Sequence, residues 1–126
     1  MIKRIGFIAV CSWIILAMGC AESTPASAVK SFYKAIGDGK TEEALDLLSD
    51  QTVSMIGKDK LRTGIQKATR AALDKGGMKD VQITNEQTAS EAANVTAVVS
   101  YGDGTAQTEK VKLVKEDMSW KLQLEK

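Results

Sequence analysis

The spacing of apolar residues changes period once along this chain, and that change limits what it can fold into. Before Gly76 and Gly77 apolar residues recur three and four apart; after them they recur at every second position. Val29, Phe32, Tyr33 and Ile36 fall at i, i+3, i+4 and i+7, one face of a helix that Thr24 caps and Pro25 opens. Gly37 and Gly39 stop it. A second helix is expected from Thr41, with Glu42 and Glu43 where the helix dipole favours negative charge. Its apolar residues are Ala44, Leu45, Leu47 and Leu48. Ser49 to Ile56 reads either as a short strand or as part of a bent helix. Leu61, Ile65, Ala68 and Ala72 then return to helical spacing.

Past the glycine pair, Val81 and Ile83 alternate with polar residues, as do Val95, Ala97, Val99 and Tyr101. Gly102, Asp103 and Gly104 are expected to make a tight hairpin turn, because those residues accept positive φ. Val111 and Leu113 alternate with Lys110, Lys112 and Lys115. Glu116 to Ser119 turn the chain again, and Trp120, Leu122 and Leu124 close it. Four strands with short connections predict an antiparallel meander, one face buried and one wet. Helices followed by strands predict an α+β domain, the helices packed on the apolar face of the sheet.

The first residues carry an address. Lys3 and Arg4 precede an uncharged run from Ile5 to Gly19, too short to span a bilayer comfortably and flanked like a secretory signal. The run ends at Ala17-Met18-Gly19-Cys20, which resembles the bacterial lipobox, with Leu16 one place further from the Cys than usual. That resemblance implies a signal peptide over residues 1–19 and a diacylglycerol thioether on Cys20, the first mature residue. Residues 20–24 then form the lipidated Cys and a short tether, about 15 Å at full stretch. Residues 25–126 form the domain. Cys11 leaves with the signal, so Cys20 is the one mature cysteine and neither a disulfide nor a Cys-based zinc site can form within the chain. Two or more acyl chains make anchoring stable. Ala21 stands where an Asp resembles the inner-membrane retention signal, which implies the outer membrane, facing the periplasm.

Charge points to no polyanion. The chain has 17 basic and 16 acidic side chains, and loss of Lys3 and Arg4 leaves a net charge of −1. Nucleic acid needs a clustered basic face, so no nucleic-acid partner is expected. About 107 mature residues bury roughly two-thirds of their unfolded surface, enough for a modest core.

Helices followed by a curved antiparallel sheet resemble the cystatin-like, nuclear-transport-factor-2-like fold, also called SnoaL-like. More closely, the stretches "TPASAVKSFYKAIGDGKTEEALDLLS" and "YGDGTAQTEKVKLVKEDMSWKLQL" resemble the two ends of a family of small bacterial lipoproteins carrying a domain of unknown function. The resemblance implies three N-terminal helices on a curved four-stranded sheet that bends into a cone. It implies a pocket at the open end, which relatives use for hydrolysis, isomerisation, binding or dimerisation; the fold alone chooses none.

Chemistry is scarce. The chain has no His, so acid–base work at neutral pH would fall to Asp, Glu, Tyr or Lys. Asp46, Glu86 and Glu109 stand in polar contexts, where a solvated surface charge is the ordinary reading. No nucleophile motif, zinc motif, phosphate loop or calcium loop is present, so no catalytic residue, metal or cofactor is expected. Phe32, Tyr33, Tyr101 and Trp120 are the candidate pocket lining, set against the commoner role of aromatic residues as core. Lys110, Lys112, Lys115 and Lys121 form a row that either discourages edge pairing or meets anionic headgroups. The expectation is a lipid-anchored envelope protein, not an enzyme, that binds a protein partner, a second copy or a small apolar ligand. The alternative is a small lyase, hydrolase or isomerase using a carboxylate in the cone.

Overall fold

Thr24 begins the first helix where the sequence places it, in a computed structural model that describes residues 24–124. The signal, Cys20 and the tether up to Ser23 lie outside the described residues. The Thr24 hydroxyl oxygen accepts from the Ser27 amide, and the Ser27 hydroxyl oxygen accepts from the Thr24 amide, both at 3.1 Å. This reciprocal box satisfies amides that a helix start leaves open. Helix α1 (Pro25–Asp38) ends on Gly39 at φ 75°, a left-handed conformation in which a Cβ would be strained. Its stripe buries Val29, Phe32 and Ile36.

Helices α2 (Thr41–Asp46), α3 (Asp50–Ile56) and α4 (Lys58–Asp74) follow, four helices among the described residues where three were expected. The ambiguous stretch is helical because Ser49 caps it, its hydroxyl oxygen accepting from the Thr52 amide at 3.1 Å. Gly57, at φ 100° and ψ 137°, separates α3 from α4. Leu47 and Leu48, expected inside the second helix, leave it to pair with a strand. The Leu122 amide donates to the Leu47 carbonyl and the Ser49 amide donates to the Leu122 carbonyl, both at 2.8 Å.

Strands β1 (Met78–Thr88), β2 (Ala92–Tyr101), β3 (Ala106–Glu116) and β4 (Ser119–Gln123) form one antiparallel sheet in the order β1-β2-β3-β4. The turn before β4 places Asp117 and Met118 at φ 49° and 67°, the two positive dihedrals of a two-residue hairpin whose twist matches its strands. Register shifts between Met78 and Asp80 and between Ile83 and Asn85 interrupt β1, and bulges of this kind bend a strand. Helix α1 lies against β1, β2 and β4, and α4 packs on α1, α2 and α3. Between them Val95, Ala97, Val111, Leu113, Trp120 and Leu122 are buried.

The turn between β2 and β3 uses its glycines differently from expectation. Gly104 takes φ 90°, whereas Gly102 is needed for proximity: a Cβ there would overlap the Gly76 carbonyl. The Gly102 amide donates to the Gly77 carbonyl, and the Asp103 amide to the Lys75 carbonyl, both at 2.8 Å. The end of α4 is thereby bolted to the hairpin by backbone alone, which fixes Lys75 beside Tyr101. Asp103 stiffens the same turn, its carboxylate accepting from the Thr105 hydroxyl at 2.6 Å and amide at 2.9 Å. Those bonds hold its carboxyl below the ordinary 3.8.

Candidate functional site

Successive strand residues face opposite sides of a sheet, and directly paired residues share a side. Glu109 pairs with the fully buried Ala97, two places before Val111 pairs with the buried Val95. Glu109 therefore belongs to the inner face of the cone and is half-buried there. The same count was open in the sequence, since Glu109 has the parity of Val111 and Leu113; its polar neighbours on the outer face concealed it.

Three adjoining cavities meet at Glu109 and Tyr33, each of which lines all three. An apolar groove of about 620 Å³ runs between α1, α3 and α4, lined by Phe32, Ile36, Met55, Ile56, Leu61 and Ile65 among others. A smaller cavity of about 320 Å³ adds Lys75, Tyr101 and Gln107. A third, of about 570 Å³ and mixed lining, reaches Asn85, Asn94 and Thr96 toward the sheet.

Tyr33 follows the buried Phe32 by one residue, so it stands at the flank of the α1 stripe with its ring half-buried. Its ring meets that of Phe32 edge to face, centroids 5.4 Å apart at 79°. Burial first, then the charge of Glu109 and the neighbouring Tyr101, push the Tyr33 phenol well above its ordinary 10.0. Tyr101 is raised as well, by burial and then by Glu109. The Lys75 ammonium lies 4.7 Å from the Tyr101 ring centroid. Among the described residues, Glu109 makes its contacts through these electrostatic interactions with the two tyrosines; no hydrogen bond or ion pair engages its carboxylate.

Trp120, the fourth aromatic candidate, lines none of these cavities. It is 5 % exposed in the closed end of the core, opposite Lys115, whose ammonium sits 5.6 Å from its ring centroid. This splits the lysine row: Lys115 shares the side of Trp120, and Lys121 turns to the end of α2, donating to the Asp46 carbonyl at 2.7 Å. A cation there also suits the negative end of the helix dipole. Asp46 itself is exposed, and the Glu86 carboxylate accepts from the Ala26 amide at 3.3 Å near the start of α1.

A second polar cluster lies deep beside β4, and no sequence motif points to it. Ser49 and Thr52 are fully buried. Ser49 Oγ lies 2.9 Å from Thr52 Oγ1 and 2.7 Å from the Gln123 amide oxygen. The Leu124 amide donates to Thr52 Oγ1 at 2.9 Å, and Gln123 Nε2 donates to Gln51 Oε1 at 3.0 Å. Both buried hydroxyls of this cluster are engaged, which marks a structural joint. Among the described residues no group of three acidic or sulfur ligands could hold a metal ion, and no helix is long and apolar enough to cross a membrane.

Four helices closed over one curved antiparallel sheet define a nuclear-transport-factor-2-like α+β cone, and two solved structures share it. One, from Campylobacter jejuni and provisionally named an NTF2-like transpeptidase, is 25% identical, with TM-score 0.71 over 82% of this chain and 100% of its own. The other, a SEC-C motif-containing protein from Rhodopseudomonas palustris, is 12% identical, with TM-score 0.60 over 85% of this chain and 82% of its own. Residues 18–123 match the family model described as Domain of unknown function (DUF4878), and the chain belongs to that family. No protein of curated function matches it.

Proposed function

We propose that this chain is a lipid-anchored protein of the bacterial envelope whose cone binds a small apolar ligand without transforming it. The anchor is Cys20, the membrane the outer one, and the domain faces the periplasm. The reading of the address rests on residues 1–20; four residues separate Cys20 from the first helix, which starts at Pro25. One observation carries the binding role: the groove of about 620 Å³ on the helix side of the cone, apolar along its length and polar at one end. The dimensions suit a ligand of modest size.

Catalysis has weaker support. The chain has no His, and the groove lining contains no Ser, Thr or Cys to act as a nucleophile, so the transpeptidase name of the Campylobacter protein does not carry over. One arrangement favours the enzyme reading: Glu109 stands with Tyr33 and Tyr101 at one cavity, as a general base and acids could. It is the reading to adopt if the wild-type chain releases an altered molecule that Glu109→Gln retains intact.

Native mass spectrometry of the chain extracted from bacterial membranes tests the proposal. The expected mass begins at an acylated Cys20 and carries a non-covalent adduct that Ile65→Trp, which fills the groove, lacks. A retained leader or an unmodified thiol would overturn the anchor. A doubled mass without adduct would replace the small ligand by a homodimer.

A further inference from the structure

Among the described residues Glu109 is the carboxylate that lines all three cavities, and its surroundings specify what can neutralise it. It sits where the apolar groove meets the smaller cavity, half-buried, with no hydrogen bond or ion pair among the described residues. Four lysines line the cavities that meet there: Lys110 and Lys112 belong to the other face of β3, and Lys75 and Lys60 are on the helix side. Lys75 is held over the Tyr101 ring at 4.7 Å, and Lys60 lines the groove without an ion pair to Glu109. A negative charge is therefore left at the inner end of an apolar channel, flanked by two tyrosines whose phenols burial keeps neutral. Neutral phenol rings present electron-rich faces and hydroxyl groups, which suit an organic cation and add nothing for an anion.

We propose that this junction is a recognition site for the ammonium head of a small cationic amphiphile, whose apolar body lies along the groove between α1, α3 and α4. The inference rests on the binding role assigned to the groove and adds the sign and place of the head group. An anionic amphiphile would put like charge against Glu109, and a neutral one would leave the carboxylate partly desolvated without a counter-charge. Solvent reaches the carboxylate, so the charge preference is moderate and the apolar body supplies the remainder.

The test uses three probes that share one chain length: n-hexylammonium, n-hexanol and n-hexanoate. They are titrated into the full-length chain in phosphatidylcholine nanodiscs, following methyl shifts of Ile36, Ile65 and Leu61 and the ring signals of Tyr33. Hexylammonium is expected to bind about tenfold more tightly than hexanol, and hexanoate more weakly than either. In Glu109→Gln, nearly isosteric and checked by thermal melting, hexylammonium should fall to the hexanol value while hexanol is unchanged. Equal binding of all three probes, insensitive to Glu109→Gln, would overturn the cation site and leave the groove as a binder of apolar molecules. No shift with any probe would overturn the groove as a ligand site altogether.

Discussion

Two polar clusters touch the interior of this cone, and they differ in whether their hydrogen bonds close. Ser49 and Thr52 lie deep beside β4, where Gln123 of that strand meets them, and each buried hydroxyl has a partner within 3.1 Å. Tyr33, Tyr101 and Glu109 lie beside open cavities, one of which Gln123 also lines, and the carboxylate has neither hydrogen bond nor ion pair among the described residues. The first cluster joins α3 to the last strand. In the second, the Glu109 carboxylate makes no bond that holds the fold, which is why it reads as a site for something else. A closed network specifies structure; an open one beside a cavity leaves room for a ligand.

That contrast can be broken first at the deep end. Trp120→Ala removes a side chain 5 % exposed and should destabilise the domain by about 3–5 kcal/mol, read from chemical denaturation. Ser49→Ala takes away the α3 cap and an acceptor for the Thr52 amide, with an expected loss of about 1–3 kcal/mol. Glu109→Gln should change stability by no more than about 0.5 kcal/mol, since no bond of the fold is lost. A loss at Glu109 as large as that at Ser49 would erase the distinction.

The smallest effect is a titration. Tyr33 has its folded pKa raised above the unfolded 10.0, so the stability it contributes is fully present below pH 10 and is lost as pH rises beyond it. Absorbance of tyrosinate should therefore appear late for this residue, and stability should decline on the alkaline side. Tyr33→Phe should flatten that decline, and Glu109→Gln should bring the Tyr33 transition to lower pH by removing a negative neighbour. A Tyr33 transition at the ordinary phenol value would contradict its burial.

The change of apolar period made the α+β layout legible, because each period belongs to one backbone geometry. Thr24, Pro25 and Gly39 made the first helix legible to within a residue, since capping is local chemistry. What stayed hidden depends on contacts far along the chain. Leu47 and Leu48 have helical spacing, but the unpaired edge of β4 draws their backbone away, and nothing near them in the sequence announces that. Gly102 looks like turn chemistry, yet its smallness serves Gly76, twenty-six positions earlier. Glu109 was readable by counting from Val111; Trp120 was not, because alternation places it on the inner face without saying whether that part is open or filled.

The segment Leu47–Ser49 has an effect on assembly as well as on the fold. By occupying the outer margin of β4 it leaves β1, and the first half of β3 that β4 does not reach, as the unpaired margins of the sheet among the described residues. Copies that meet margin to margin through β1 make a twofold pair whose β4 margins are already taken. Growth strand by strand past β4 is therefore closed, and an edge-to-edge fibre cannot be built through that strand.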